Sequence, residues 1–155
     1  MTDFSALLRG DTVLEGVTAS GKKALLNQLA GALAQAHGLD AKAAATALFA
    51  REKLGSTGFG GAIAIPHGKL EGLARPVGLF ARLAEPIDFQ AIDELPVDLV
   101  FVMLSPPLGG AEHLRALASV SRRLRDAGFV AKLRGAGSPD ALYALWTAEE
   151  ARDAA

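Results

Sequence analysis

Hydrophobic positions along this chain follow two spacings, and the order in which those spacings alternate outlines a layered fold. Over residues 20–37, Leu25, Leu26, Leu29 and Leu33 recur at intervals of three and four, which gathers them on one side of an α-helix. Ser20 stands where its hydroxyl can cap the first turn, and Gly38 stands where a left-handed stop is needed. Asp40 caps a second helix that runs to about Leu54 and is ended by Gly55. Leu114, Leu117, Val120 and Leu124 mark another over residues 110–127. Short helical turns are expected at 4–8 and 129–134. A last helix opens on Ser138-Pro139-Asp140, with serine at the cap and proline at the first position, and carries Leu142, Leu145 and Trp146.

Between these helices lie apolar runs of strand length, at 13–17, 62–65, 77–83 and 97–104. The last reads Val97-Asp-Leu-Val-Phe-Val-Met-Leu104, apolar at all but one position, as a central strand covered on both faces does. Ser105-Pro-Pro ends it. Residues 55–61 are too rich in glycine for a regular element. Helices before, between and after apolar strands predict one layered α/β domain over residues 1–155, with its core at about 11–148.

Composition narrows the function. A chain of 155 residues, 50% hydrophobic and 21% charged, suits one soluble globular domain with a sizeable core. The net charge of −1 and the lack of a long basic run remove the footprint of a nucleic-acid binder. Without cysteine there is no disulfide, zinc–thiolate site or cysteine nucleophile. No apolar stretch is long enough to span a membrane, and the Met-Thr-Asp-Phe start lacks the basic-then-apolar order of a signal peptide, so a cytoplasmic location is the default expectation.

Candidate chemistry concentrates at Ala62-Ile-Ala-Ile-Pro-His67-Gly68-Lys69, where an apolar strand delivers a histidine at its exit. Pro66 fixes φ before it and Gly68 offers backbone freedom after it. Strand ends commonly form sites, and a neutral imidazole nitrogen can attack phosphorus because its pKa lies near cellular pH. A turn histidine satisfied by hydrogen bonds is the competing reading, and chemistry alone leaves the two level. Upstream, Gly55-Ser-Thr-Gly-Phe-Gly-Gly61 could turn backbone N–H groups of Gly58, Gly60 and Gly61 onto an anion, with the hydroxyls of Ser56 and Thr57 as further donors. Arg51 precedes that loop and could pair two phosphate oxygens, whereas Lys53 is better read as complementing a helix end. On chemistry alone His113 is an exposed polar residue in a first turn, and His37 a polar residue at a helix end. Gly16-Val-Thr-Ala-Ser-Gly-Lys22-Lys23 nearly matches a nucleotide-binding loop, but Lys23 stands where a magnesium-binding Ser or Thr is needed, so Lys22 and Lys23 are read as a basic surface spot. Asp88, Asp93, Glu94 and Asp98 are read as solvent-facing loop charges rather than a catalytic carboxylate pair.

The run Arg51-Glu-Lys-Leu-Gly-Ser-Thr-Gly-Phe-Gly-Gly-Ala-Ile-Ala-Ile-Pro-His67-Gly-Lys69 resembles the active-site segment of the IIA domains of the fructose–mannitol phosphotransferase family, and Gly-Ser-Thr-Gly after Arg-Glu-Lys resembles its nitrogen-regulatory branch. The likeness continues through Pro86-Ile-Asp-Phe-Gln-Ala-Ile-Asp93, Pro96-Val-Asp-Leu-Val-Phe-Val-Met-Leu104 and His113-Leu114, so it covers nearly the whole chain. It departs at Phe59 and Gly61, where the branch often has Ile and Asn. The resemblance implies a three-layer α/β/α fold around a small mixed sheet, with His67 as the phosphoryl acceptor and His113 and Arg51 lining its pocket. It implies a histidine phosphocarrier protein as donor; by shape class, an apolar surface around Phe59 with Lys69 and other charges at its rim is expected to receive it. It implies regulated proteins such as potassium-transporter or sensor-kinase components, and neither cofactor nor metal. The alternative is a sugar-type IIA that hands phosphate to a IIB domain.

Overall fold

Strand β6 (Val97–Ser105) is the axis of the fold, and every residue of it except Asp98 is buried, as its apolar run requires. The computed structural model describes residues 2–148. On one side of β6 lies β5 (Val77–Ile87), antiparallel, followed by β1 (Val13–Val17), parallel to β5. On the other side β3 (Ile63–Ala64) and β4 (His67–Lys69) run one after the other along β6, both parallel to it. β2 (Gly58–Gly60) folds back antiparallel on β3. The mixed sheet thus has the order β1-β5-β6-β3-β2, with β4 beside β6.

Side chains of β6 alternate between two cores. Val100, Val102 and Leu104 face the layer of α2 (Lys22–His37) and α3 (Ala41–Glu52), which contributes Leu25, Leu26, Leu29, Leu33 and Leu48. Leu99, Phe101 and Met103 face the layer of α1 (Phe4–Leu7), α4 (Gly110–Leu124), α5 (Ala127–Gly135) and α6 (Pro139–Thr147), centred on Trp146. Three layers form, as expected. No helix of the described residues is long and apolar enough to cross a membrane.

Several local expectations hold. Gly38 adopts the left-handed conformation (φ 67°) that stops α2, Asp40 caps α3 by accepting the Lys42 N–H at 3.0 Å, and Ser138 caps α6 by accepting the Ala141 N–H at 3.1 Å. Others change. Gly21, not Ser20, is the cap of α2, and no side chain caps that end. α3 stops at Glu52, before Leu54. The glycine-rich segment does contain a strand, β2, because pairing with β3 outweighs its poor propensity. A side chain at Gly58 would stand 2.9 Å from the Cβ of Ala91. β5 extends past Leu83 to Ile87, and α5 starts earlier than residue 129, where Asp126 accepts the Gly128 and Phe129 N–H groups. The inward face of α4 is His113, Ala116, Val120 and Leu124, while Leu114 is 65% exposed. A histidine occupies the inward position that the leucine pattern assigned to Leu114.

Candidate active site

His67 opens β4, directly after Pro66 has interrupted the edge that β3 and β4 share along β6. The Pro66 carbonyl still accepts the Met103 N–H at 3.0 Å, so the interruption leaves the strand attached. Gly68 is needed for space rather than for backbone freedom, since a Cβ there would lie 3.0 Å from the Ala47 carbonyl oxygen of α3. The imidazole of His67 is held by its Nδ1, 2.8 Å from the Ile65 carbonyl oxygen. A carbonyl only accepts, so Nδ1 carries the proton and Nε2 carries the lone pair.

His113 is 6% exposed and sits in the first turn of α4, its ring centroid 5.7 Å from that of His67. Its Nδ1 lies 2.6 Å from Oγ of the buried Ser105, the last residue of β6. Each imidazole therefore has one nitrogen bound to the scaffold, and neither Nε2 has a protein partner among the described residues. The fold thus buries His113 and brings its ring beside that of His67, where the first-turn reading did not put it.

Burial is the main cause that lowers the pKa of His67; the positive charge of Arg51 lowers it further, against the Ile65 hydrogen bond and the Glu52 carboxylate. The His113 pKa falls to about 4, chiefly through burial, then through Lys69 and His67. Both rings are neutral at pH 7, which suits a nucleophile and a partner that must not repel it.

Arg51 lies close enough to act on His67 electrostatically, and its Nη1 donates to the Gly55 carbonyl at 2.8 Å, bracing the loop that follows α3. The loop itself differs from the expected anion cradle. The Ser56 hydroxyl donates to the Phe89 carbonyl (2.6 Å), and Thr57, 7% exposed, turns its hydroxyl onto Glu52. The Gly58 N–H donates to Ser56 Oγ (3.0 Å) and the Gly61 N–H to Asp93 (2.9 Å). These hydrogen bonds fasten the loop to Phe89, Glu52 and Asp93 and hold it in shape. Gly60 and Gly61 are positive-φ positions that the turn into β3 needs, at 108° and 65°.

Two further expectations change. Lys22 is no surface lysine: its Nζ is 2.7 Å from the buried carboxylate of Glu52. Asp98 lies in β6 and pairs with Arg134 at 2.8 Å, whereas Asp88, Asp93 and Glu94 are exposed between β5 and β6 as expected, with Asp93 accepting the Gly61 N–H. Phe59 is half-buried beneath Arg125 (5.9 Å), and Leu108, in the loop before α4, is 99% exposed. Ser105, Glu52 and the Ile65 carbonyl went unnoticed in the sequence. For Ser105 the available signal was its place at the exit of the central strand, where sites gather.

A family model described as "Phosphoenolpyruvate-dependent sugar phosphotransferase system, EIIA 2" matches residues 6–148. A nitrogen regulatory protein of Bradyrhizobium diazoefficiens is 44% identical over 139 residues, covering 90% of this chain and 91% of that protein. A fructose-like EIIA component of Escherichia coli is 31% identical over 141 residues, covering 90% of this chain and 95% of that protein. Among solved structures, the nitrogen regulatory protein IIA-Ntr from Neisseria meningitidis superposes with a TM-score of 0.87 at 32% identity, covering 93% of this chain and 99% of that one.

Proposed function

We propose that this chain, which belongs to the EIIA 2 family of the phosphoenolpyruvate-dependent sugar phosphotransferase system, carries a phosphoryl group on Nε2 of His67. The observation that carries this reading is the hydrogen bond from His67 Nδ1 to the Ile65 carbonyl, which leaves the Nε2 lone pair free beside His113 and Arg51. The similarity to nitrogen regulatory proteins favours a nitrogen-type phosphocarrier over a sugar-type component.

In the proposed step a phosphohistidine of a small carrier protein is brought in line with His67. A bond forms between phosphorus and Nε2, the bond from phosphorus to the donor imidazole breaks, and the donor ring leaves with that electron pair. His67 Nδ1 keeps its proton and goes on donating it to the Ile65 carbonyl, whose dipole offsets the positive charge that develops on the ring. Arg51 offers its remaining N–H groups to the phosphoryl oxygens. When the Ser105 hydroxyl donates into Nδ1 of His113, the proton of that ring sits on Nε2, where it too can reach a phosphoryl oxygen. Exposed Leu108, in the loop before α4, and Leu114, next to His113 in the chain, fit an apolar docking surface for the donor. The phosphorylation state then governs contacts with regulated proteins, such as potassium-transporter or sensor-kinase components, in the cytoplasm.

Intact-mass analysis tests this reading, on wild type and His67→Ala incubated with phosphoenolpyruvate and competent carrier proteins. One acid-labile phosphate on the wild type alone is the expected result. No gain on the wild type, or equal gain on His67→Ala, overturns it.

A further inference from the structure

Lys22 belongs to the stretch that mimics a nucleotide-binding loop, and the phosphoryl pocket makes no direct use of it. We infer that Lys22 and Glu52 form a clasp that orients His67 through Thr57 and Ile65, making both of them positioning residues for phosphoryl transfer. The inference rests on the phosphocarrier reading above.

Glu52 ends α3 with its side chain only 6% exposed, and a carboxylate so placed must be matched by donors. It has three. Lys22 Nζ stands at 2.7 Å, the Thr57 N–H donates at 3.0 Å, and the Thr57 hydroxyl donates to the other oxygen. Lys22, the first residue of α2, also donates to the Phe89 carbonyl at 3.2 Å and lies 5.1 Å from the centroid of that buried ring. Ser56 donates to the same carbonyl. The start of α2, the end of α3, the glycine-rich loop and the β5–β6 connection are thus joined at one ion pair.

From that pair a continuous line of contacts reaches the nucleophile. The Thr57 carbonyl accepts the Ile65 N–H at 3.1 Å, and the Ile65 carbonyl accepts the His67 Nδ1–H at 2.8 Å. Arg51 is held by the same device, because its backbone adjoins Glu52 and its guanidinium is fastened to Gly55, between Glu52 and Thr57. A slip at Thr57 would therefore tilt the imidazole and shift the guanidinium together. Phosphoryl transfer is sensitive to such misplacement.

The test uses the full chain and four variants: Lys22→Met, Glu52→Gln, Thr57→Val and, as the conservative rescue, Thr57→Ser. Single-turnover transfer from the phosphorylated histidine carrier gives a rate at saturation and a half-saturating concentration. The ¹⁵N spectrum of the His67 imidazole reports its tautomer without any donor. Folding is checked by the amide spectrum. Thr57→Val and Lys22→Met should lower the saturating rate about ten- to a hundredfold, keep half-saturation within about twofold, and mix the His67 tautomers; Thr57→Ser should restore both readouts. Wild-type rate and a wild-type imidazole signal in folded Thr57→Val would overturn the inference. So would a defect confined to half-saturation, which would make the clasp a docking element. If Lys22→Met or Glu52→Gln fails to fold, the two Thr57 variants decide. Absence of labelling on the wild type would sink the phosphocarrier reading instead, and the imidazole signal would still decide whether the clasp holds His67.

Discussion

The sheet of this protein supports two clusters of rings that are built by opposite rules. Around Trp146, Phe4, Phe80, Phe101 and Phe129 stand with centroids 5.0–5.3 Å away, each from a different helix or strand. Their contacts are non-directional and redundant, and their energy follows buried area. At the exit of β6, two imidazoles stand 5.7 Å apart, and each is held by one hydrogen bond to one partner. Those contacts are directional and have no substitute. Damage to the first cluster should appear as lost stability, and damage to the second as lost rate.

The sharpest way to break this contrast is at the centre of each cluster. His67→Ala should abolish acid-labile phosphorylation while the thermal midpoint stays close to that of the wild type, as differential scanning fluorimetry can show. Trp146→Ala should cost about 3–5 kcal/mol in urea unfolding, the usual penalty for emptying a buried aromatic site, while the molecules that remain folded still accept phosphate. A Trp146→Ala protein that stayed folded yet lost transfer would mean that the clusters are coupled, and the contrast would fail.

Smaller effects grade the pocket. His113→Ala should slow transfer by about 10²–10³-fold without abolishing it, as loss of one preorganised donor does. Arg51→Lys keeps the charge and loses only the two-pronged fork, so a slowing of about tenfold is expected in the same single-turnover assay. If His113→Ala transferred at the full rate, the second imidazole would have no part in the chemistry.

The aromatic half of the contrast was readable from the chain, and the polar half only in part. The apolar run of β6, the leucine spacing of α2 and the Ser138-Pro139 start of α6 depend on local sequence, and each took its expected place. The site depends on pairings between distant segments, which no spacing reveals. Thr57 is five residues from Glu52, but the carboxylate that binds it is buried only because Lys22 arrives from another helix. His113 reads as a surface residue until Ser105 is seen to satisfy it at the end of β6. The leucine pattern of α4 was misread for the same reason: it could not anticipate a buried histidine in a position that apolar residues usually fill.

Acid should separate the two clusters by the smallest but most diagnostic effect. The folded pKa of His113 lies at about 4, below the ordinary value of 6.5, and that of His67 is also lowered. Between those values the unfolded chain binds protons that the native chain refuses. The His113 contribution to stability is therefore complete above pH 6.5 and declines as the pH falls towards 4, by at most about 1.4 kcal/mol per pH unit, and the lowered pKa of His67 acts in the same direction. The ring cluster around Trp146 contains no titrating group, so Trp146→Ala should lower stability by the same amount at pH 7 and pH 5. His113→Gln removes a group whose protonation opposes folding, so its stability relative to wild type should improve as the pH drops from 7 to 5. Urea unfolding of the three proteins at those two pH values measures both differences. A His113→Gln offset that is identical at the two values would show that His113 is not held neutral by its burial, and the basis for treating it as an uncharged partner of His67 would be lost.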